Sequence, residues 1–362
     1  MNEPIGKTSP ARRGGKPLAM LGAVVFVVVA LFGSRLPLPP AAGTAAADEE
    51  KPAGPTSRAV KAANAFLDAL DARQKEKTLY EFDSTKKSRW SNLPVTFVPR
   101  NGIPLGDMSK EQRAKAMAVV AAVLSKGGYQ KVVDIMDGDQ QLVRGGGRGG
   151  RAMFGKDLYY LAIFGKPSDT KAWMVQFGGH HLGVNVTVVG KHFVLTPTHT
   201  GAQPALFKRD GKDVRPLGQE ADAAFKLVNA LDKKQQAQAI LAEKPQSRLL
   251  LGPGEDGKAI KPEGVKGSAL TQKQQAMLLD VIAAWVKIVE PAAAAARMAE
   301  IKGKIGETFF AWKGPTAQGS AAYFRVQGPA VVIEYAPQGG TGHIHTVVRN
   351  PKDDYGTALL KR

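Results

Sequence analysis

From Ser57 onward the apolar positions fall at helical spacing. Val60, Ala63, Phe66, Leu67 and Leu70 share one face of a helix for which Ser57 is the expected N-cap. A short strand at Leu79 to Phe82 follows. Then comes a stretch broken by Pro and Gly, from Trp90-Ser91-Asn92-Leu93-Pro94 to Gly102-Ile103-Pro104-Leu105. Ser109-Lys110-Glu111-Gln112 reads as a capping box, in which serine and glutamine side chains satisfy each other's free backbone N–H groups. The Ala-rich helix it opens is predicted to end near Ser125, with Gly127-Gly128 as the stop, and Tyr129 to Met136 predicts another helix. Beyond it the pattern turns β-rich. Asp157 to Gly165 and Trp173 to Thr196 predict antiparallel strands, with turns or bulges at Gly178-Gly179 and Gly190-Lys191.

The second half echoes this order. Phe66-Leu67-Asp68-Ala69-Leu70-Asp71 returns as Leu227-Val228-Asn229-Ala230-Leu231-Asp232, and Ser109-Lys110-Glu111-Gln112 as Thr271-Gln272-Lys273-Gln274, which again opens a long helix to about Val289. Phe164-Gly165-Lys166-Pro167 resembles Trp312-Lys313-Gly314-Pro315. The pattern predicts an α+β fold of two degenerate internal repeats, residues 57–210 and 211–362, each with helices followed by antiparallel strands. Two such halves pack most economically about a pseudo-two-fold axis. That axis would bring His180, His181 and Asn185 of the first half toward Glu334, His343 and His345 of the second. Glu334 falls near the position equivalent to Asn185.

Ahead of this region, Lys7, Arg12, Arg13 and Lys16 precede an apolar run from Leu18 to Phe32, and Ala45-Ala46-Ala47 offers a small-residue cleavage site. These are the parts of an export signal. The run is short of the roughly 20 residues a spanning helix needs. Residues 1–47 are therefore read as a cleaved signal or a retained membrane anchor, and residues 48–56 as a linker. The expected location is outside the cytoplasm: periplasmic, cell-surface or secreted.

Composition narrows the chemistry. The 362 residues contain no cysteine, which excludes disulfides, thiolate metal sites, iron–sulfur clusters and a cysteine nucleophile. The formal charge of +18 suits anionic partners of any kind, and export points away from nucleic acid toward an anionic envelope component. An arginine–glycine tract at Arg144 to Arg151 is read as a flexible basic loop. No nucleotide-binding loop, nucleophile elbow, EF-hand or heme attachment motif is present.

Histidine carries the strongest signal. All six histidines lie in two short β-like segments: His180, His181, His192 and His199 in one, His343 and His345 in the other. In a strand, residues i and i+2 share a face, so His343 and His345 can converge on one ion. The adjacent pair His180-His181 would point to opposite faces unless the Gly178-Gly179 bulge re-aims one ring. The expected metal ligands are His180, His181, His343 and His345, with Glu334 as oxygen ligand or general base. Such a set suits Zn²⁺, Cu²⁺ or Fe²⁺. Asn185, Arg349, Asp354 and Tyr355 are candidate substrate contacts, and an Arg349–Asp354 pair that merely fixes the C-terminal segment is the competing reading. Trp173, Trp285 and Trp312 are expected in the core.

Several of these stretches also carry a family likeness: Trp90-Ser91-Asn92-Leu93-Pro94, Ile163-Phe164-Gly165-Lys166-Pro167, Gly179-His180-His181-Leu182 with Asn185, Thr196-Pro197 with Gly201-Ala202-Gln203-Pro204, and His343-Ile344-His345-Thr346 through Arg349 to Tyr355-Gly356. Over about Ser57 to Gly356 the chain resembles the bacterial family catalogued as domain of unknown function 3500. His199 and Asn350 stand where that pattern more usually has an aromatic residue and an aspartate. The resemblance implies an exported protein with no assigned activity. Two functions follow as expectations: metal-assisted hydrolysis or oxidation of an extracytoplasmic small molecule, or non-catalytic binding of an anionic envelope polymer or a protein partner.

Overall fold

The computed structural model describes residues 53–144 and 153–361. The predicted signal or anchor and most of the arginine–glycine tract lie outside them. Among the described residues no helix is long and apolar enough to cross a membrane.

The fold is mixed α+β. Among the described residues the helices are α1 (Pro55–Asp68), α2 (Ala72–Thr78), α3 (Lys110–Val123), α4 (Lys126–Arg144), α5 (Gly218–Asn229), α6 (Lys233–Ala239), α7 (Gln272–Val286) and α8 (Pro291–Gly303). Ten strands form the spine of one large sheet: β1 (Leu79–Tyr80), β2 (Tyr160–Phe164), β3 (Trp173–Gly178), β4 (Leu182–Val189), β5 (Thr198–Ala202), β6 (Ile240–Ala242), β7 (Phe309–Lys313), β8 (Tyr323–Gln327), β9 (Val332–Pro337) and β10 (Ile344–Arg349). They are ordered β1-β2-β3-β4-β5-β10-β9-β8-β7-β6, and three shorter strands pair off this path. The pairings along it are antiparallel except at the two ends, where β1 runs parallel to β2 and β6 parallel to β7. At the centre β5 pairs with β10 through Thr200 and Thr346, so the sheet runs unbroken across residue 210.

Local chemistry explains the helix starts. Ser109 and Gln112 form the predicted capping box, and so do Thr271 and Gln274. Two further boxes, Asp71 with Gln74 and Asp232 with Gln235, open α2 and α6. The box glutamines also bond one another: Gln112 Nε2 donates to Gln74 Oε1 at 2.8 Å, and Gln274 Nε2 to Gln235 Oε1 at 2.7 Å. Each pair ties the start of a long helix to the short helix before it.

Two expectations fail. Ser57 is not the N-cap of α1: the helix begins at Pro55, whose missing N–H costs nothing in the first turn. Gly127 and Gly128 are not a helix stop but lie in the first turn of α4. Gly128 is required there by close approach, since a Cβ would lie 2.1 Å from the carbonyl oxygen of Ile288.

Side-chain alternation gives the sheet two distinct faces. Ile344, Thr346 and Val348 of β10 face the helices, where Trp285 Nε1 donates to Thr346 Oγ1 at 2.9 Å. Val347 instead packs with Trp90, Leu249, Tyr323 and Ala336 under the long loops, and His345 and Arg349 share its side. Trp173, Trp285 and Trp312 are fully buried, as expected of core residues.

Candidate metal centre

Four histidines meet at one end of the central strands. His180 and His181 occupy the turn between β3 and β4, not a strand. Gly178 pairs with Gly183, and the Gly179 N–H donates to the Leu182 carbonyl at 2.9 Å. The two residues at the tip of such a turn need not point to opposite sides. Here the rings stack at 4.0 Å with an interplanar angle of 15°. Only glycine fits beneath them, because a Cβ on Gly178 would lie 2.3 Å from the Leu182 oxygen.

His343 and His345 arrive from the start of β10. His345 is paired with Gly201 of β5, and the Gly201 N–H donates to the His181 carbonyl at 2.7 Å. A Cβ at Gly201 would stand 3.0 Å from His181 Cδ2 and 3.1 Å from His345 Cδ2. The bare backbone of Gly201 therefore lets the two imidazoles close over β5. His343 Nε2 lies 3.0 Å from His181 Nε2 and 2.9 Å from His345 Nε2. One ring nitrogen from each of the four histidines falls within a set whose members all lie within 4.8 Å of one another.

The far nitrogens are held by the surrounding chain. His181 Nδ1 bonds Asp139 of α4, whose other oxygen accepts from the Tyr159 hydroxyl at 2.7 Å. A carboxylate at Nδ1 keeps the proton there and leaves the Nε2 lone pair bare toward His343. His345 Nδ1 lies 3.0 Å from the Asn92 side-chain amide, which leaves the Nε2 lone pair bare when the amide oxygen, not its NH₂, faces the ring. His180 Nδ1 is buried and has no hydrogen-bond partner; as a bare lone pair it would be satisfied by a bound cation.

Burial dominates the electrostatics. His343, the most accessible of the four, is held down to about 4 by desolvation and the neighbouring His181. His180 and His345 are pushed far lower, again chiefly by burial and then by the other imidazoles. Burial thus favours the neutral form of His180, His343 and His345, the form in which an imidazole can bind a metal. Four imidazoles with no carboxylate among them suit Zn²⁺ or Cu²⁺, and less strongly Fe²⁺.

Other predicted contacts lie elsewhere. The structure does not bring Glu334 to the histidines. Its carboxylate is fully buried and accepts from the Leu250 and Leu251 N–H groups at 2.9 and 2.8 Å and from the Tyr323 hydroxyl at 2.7 Å. Glu334 lies opposite Arg325 on the β8–β9 pair, and Asn185 lies opposite Gln176 on the β3–β4 pair. The Asn185 side chain is committed to Gln176 and to the Pro197 carbonyl. Arg349 donates to the Leu251 and Gly252 carbonyls and to Asp256 and Asp354, while the Tyr355 hydroxyl joins Asp256 and Trp90 Nε1. These three residues fasten the C-terminal segment to the loop at 249–256. His192 is exposed on a short strand, and His199 is buried beside the cluster, 5.2 Å from the His345 ring, with Nδ1 on the Thr346 carbonyl.

Sequence reasoning missed Asp139, since nothing marks one acid of the run Asp134 to Asp139 over another. Asn92 stood within a motif without a role. Fold and site together define an α+β protein with a largely buried four-histidine cluster at one end of the central strands of its large sheet. The chain belongs to the family described as Protein of unknown function (DUF3500), whose model matches residues 52–357. No curated protein and no solved structure matches it.

Proposed function

We propose that this is an exported metalloprotein in which His180, His181, His343 and His345 bind one divalent transition-metal ion, Zn²⁺, Cu²⁺ or Fe²⁺, and act with it on a small extracytoplasmic molecule by hydrolysis or oxidation. The observation that carries the reading is the convergence of the His181, His343 and His345 Nε2 atoms within 3.0 Å contacts. Three ring nitrogens so close need a proton or a cation between them, and a metal ion would accept all three lone pairs. A bound ion would supply Lewis acidity toward water or a carbonyl, or a redox couple if it is copper or iron. The chain's own contribution is orientation: Asp139 fixes the tautomer of His181, Asn92 holds His345, and Arg100 clasps the turn through the Gly179 carbonyl at 3.0 Å.

The same reading takes the two halves as copies about a pseudo-two-fold axis between β5 and β10. The matched capping boxes, the mirrored strand order and the Thr200–Thr346 hydroxyl contact of 2.7 Å support it. In that scheme the turn at Gly328 to Val331, closed by a 2.8 Å bond, corresponds to the histidine turn. It carries Pro329 and Ala330 in place of the two ligands, so one centre per chain is expected.

Elemental analysis of the purified protein, after chelation and reloading, tests the reading. About one metal per chain is expected, lost in His343→Ala and His345→Ala. A protein that takes up no Zn²⁺, Cu²⁺ or Fe²⁺ at micromolar concentration would refute it.

A further inference from the structure

With a metal bound, the histidine cluster would carry an unbalanced charge, and exposed apolar side chains stand on the loops that hold it. Asp139 is the one carboxylate among the described residues that bonds a cluster imidazole. Against it stands Arg100, whose guanidinium bonds only carbonyl oxygens, those of Gly179, Ser91, Leu93 and Val98. No described carboxylate forms an ion pair with it. Burial lowers its pKa to about 10, which leaves it cationic at neutral pH. With a divalent ion on neutral imidazoles, the neighbourhood holds roughly two positive charges in excess, where desolvation makes excess charge costly unless an anion joins it.

The loops that hold the cluster add a second property. The large apolar side chains that stand exposed include Leu93, Phe97 and Leu206. Leu93 and Phe97 belong to the loop that holds His345 through Asn92 and the histidine turn through Arg100. Leu206 follows Ala205, whose N–H donates at 2.9 Å to the carbonyl of Gly342, beside His343. Phe154 stacks on His180 with ring centres 5.0 Å apart. Exposed apolar groups on two loops tied to one polar centre are the pattern of an amphipathic ligand site.

Resting on the metal reading above, we propose that the centre takes a free amphipathic monocarboxylate, with its carboxylate at the histidine cluster and its hydrocarbon body on Leu93, Phe97 and Leu206. The test is calorimetric titration of the full chain loaded with Zn²⁺, using acetate, butyrate, octanoate and octanol at fixed ionic strength. Metal affinity is measured first and separately. A half-covered methylene adds roughly a twofold gain, so octanoate should bind about 50-fold more tightly than acetate and at least about 10-fold more tightly than octanol. Leu93→Ser, Phe97→Ser and Leu206→Ser should flatten the chain-length trend while leaving metal affinity within about twofold. Metal bound but acetate and octanoate equal, or octanol equal to octanoate, overturns this proposal alone. Binding seen only with anionic phospholipid vesicles overturns it in favour of a membrane surface. Failure to bind metal removes both readings.

Discussion

Replacing Asp139 by Asn tests how the site is built, because it removes one charge and almost no volume. Asp139 is 1% exposed and spans two partners, His181 Nδ1 on one oxygen and the Tyr159 hydroxyl on the other. Asparagine keeps a single acceptor. If its oxygen faces His181, the tautomer survives but the charge that strengthens the ligand is lost. If its NH₂ group faces Nδ1, the imidazole proton moves to Nε2 and blocks the lone pair that points at His343. Loss of such an outer carboxylate weakens metal binding by about 10- to 100-fold, or about 1.4–2.7 kcal/mol. Folding should suffer less, by about 1–2 kcal/mol, since the tyrosine hydroxyl can accept from the new amide. Chelator competition gives the metal affinity, and thermal melting of the metal-free protein gives the stability. Tyr159→Phe serves as the control: it leaves the Asp139–His181 bond in place and should keep metal affinity within about threefold. An Asp139→Asn protein that binds Zn²⁺ as tightly as the parent would refute the orienting role of the carboxylate.

Three further outcomes follow from the same geometry. Arg349→Ala should destabilise by about 3 kcal/mol in chemical denaturation, because it removes a buried guanidinium and leaves the half-buried Asp354 carboxylate unpaired, yet leave metal stoichiometry unchanged. Glu334→Gln should lower stability by about 1–3 kcal/mol through its two backbone donors and Tyr323, again with full metal content; loss of metal would restore it to the site. For the metal-free protein, burial holds His199 near about 3 and His343 near about 4, against an ordinary value of 6.5 in the unfolded chain. The unfolded state therefore binds more protons below pH 6.5. The stability these groups contribute is present in full above that pH and is lost progressively as pH falls toward 4 and below, by at most about 1.4 kcal/mol per pH unit for each histidine. Melting temperatures across that window check the sign, and a flat profile contradicts it.

Much of the frame was legible in the sequence because its signals are local. Capping boxes at Ser109 and Thr271 act between residues three apart, and the alternation through Trp173 to Thr196 gave strands where strands occur. The histidine clustering marked all four cluster members. Gly127-Gly128 misled, since glycine is equally the residue of a helix stop and of a close crossing, and only the packing of α4 against Ile288 distinguishes them. The orientation of His180 and His181 depended on whether Gly178-Gly179 made a bulge in a strand or a turn between two. The likeness of Glu334 to Asn185 in sequence position does not set its distance from a site formed at one end of the central strands.

The sequence by itself determined many of the elements, the burial of three tryptophans and the residue type available for chemistry, because periodicity, caps and the absence of cysteine are properties of neighbours along the chain. Only the tertiary structure decided that β5 meets β10, that Asp139 backs His181, and that the Arg349–Asp354 pair fastens a terminus. Those contacts join residues far apart in sequence, and no local pattern records which distant partner satisfies a buried charge.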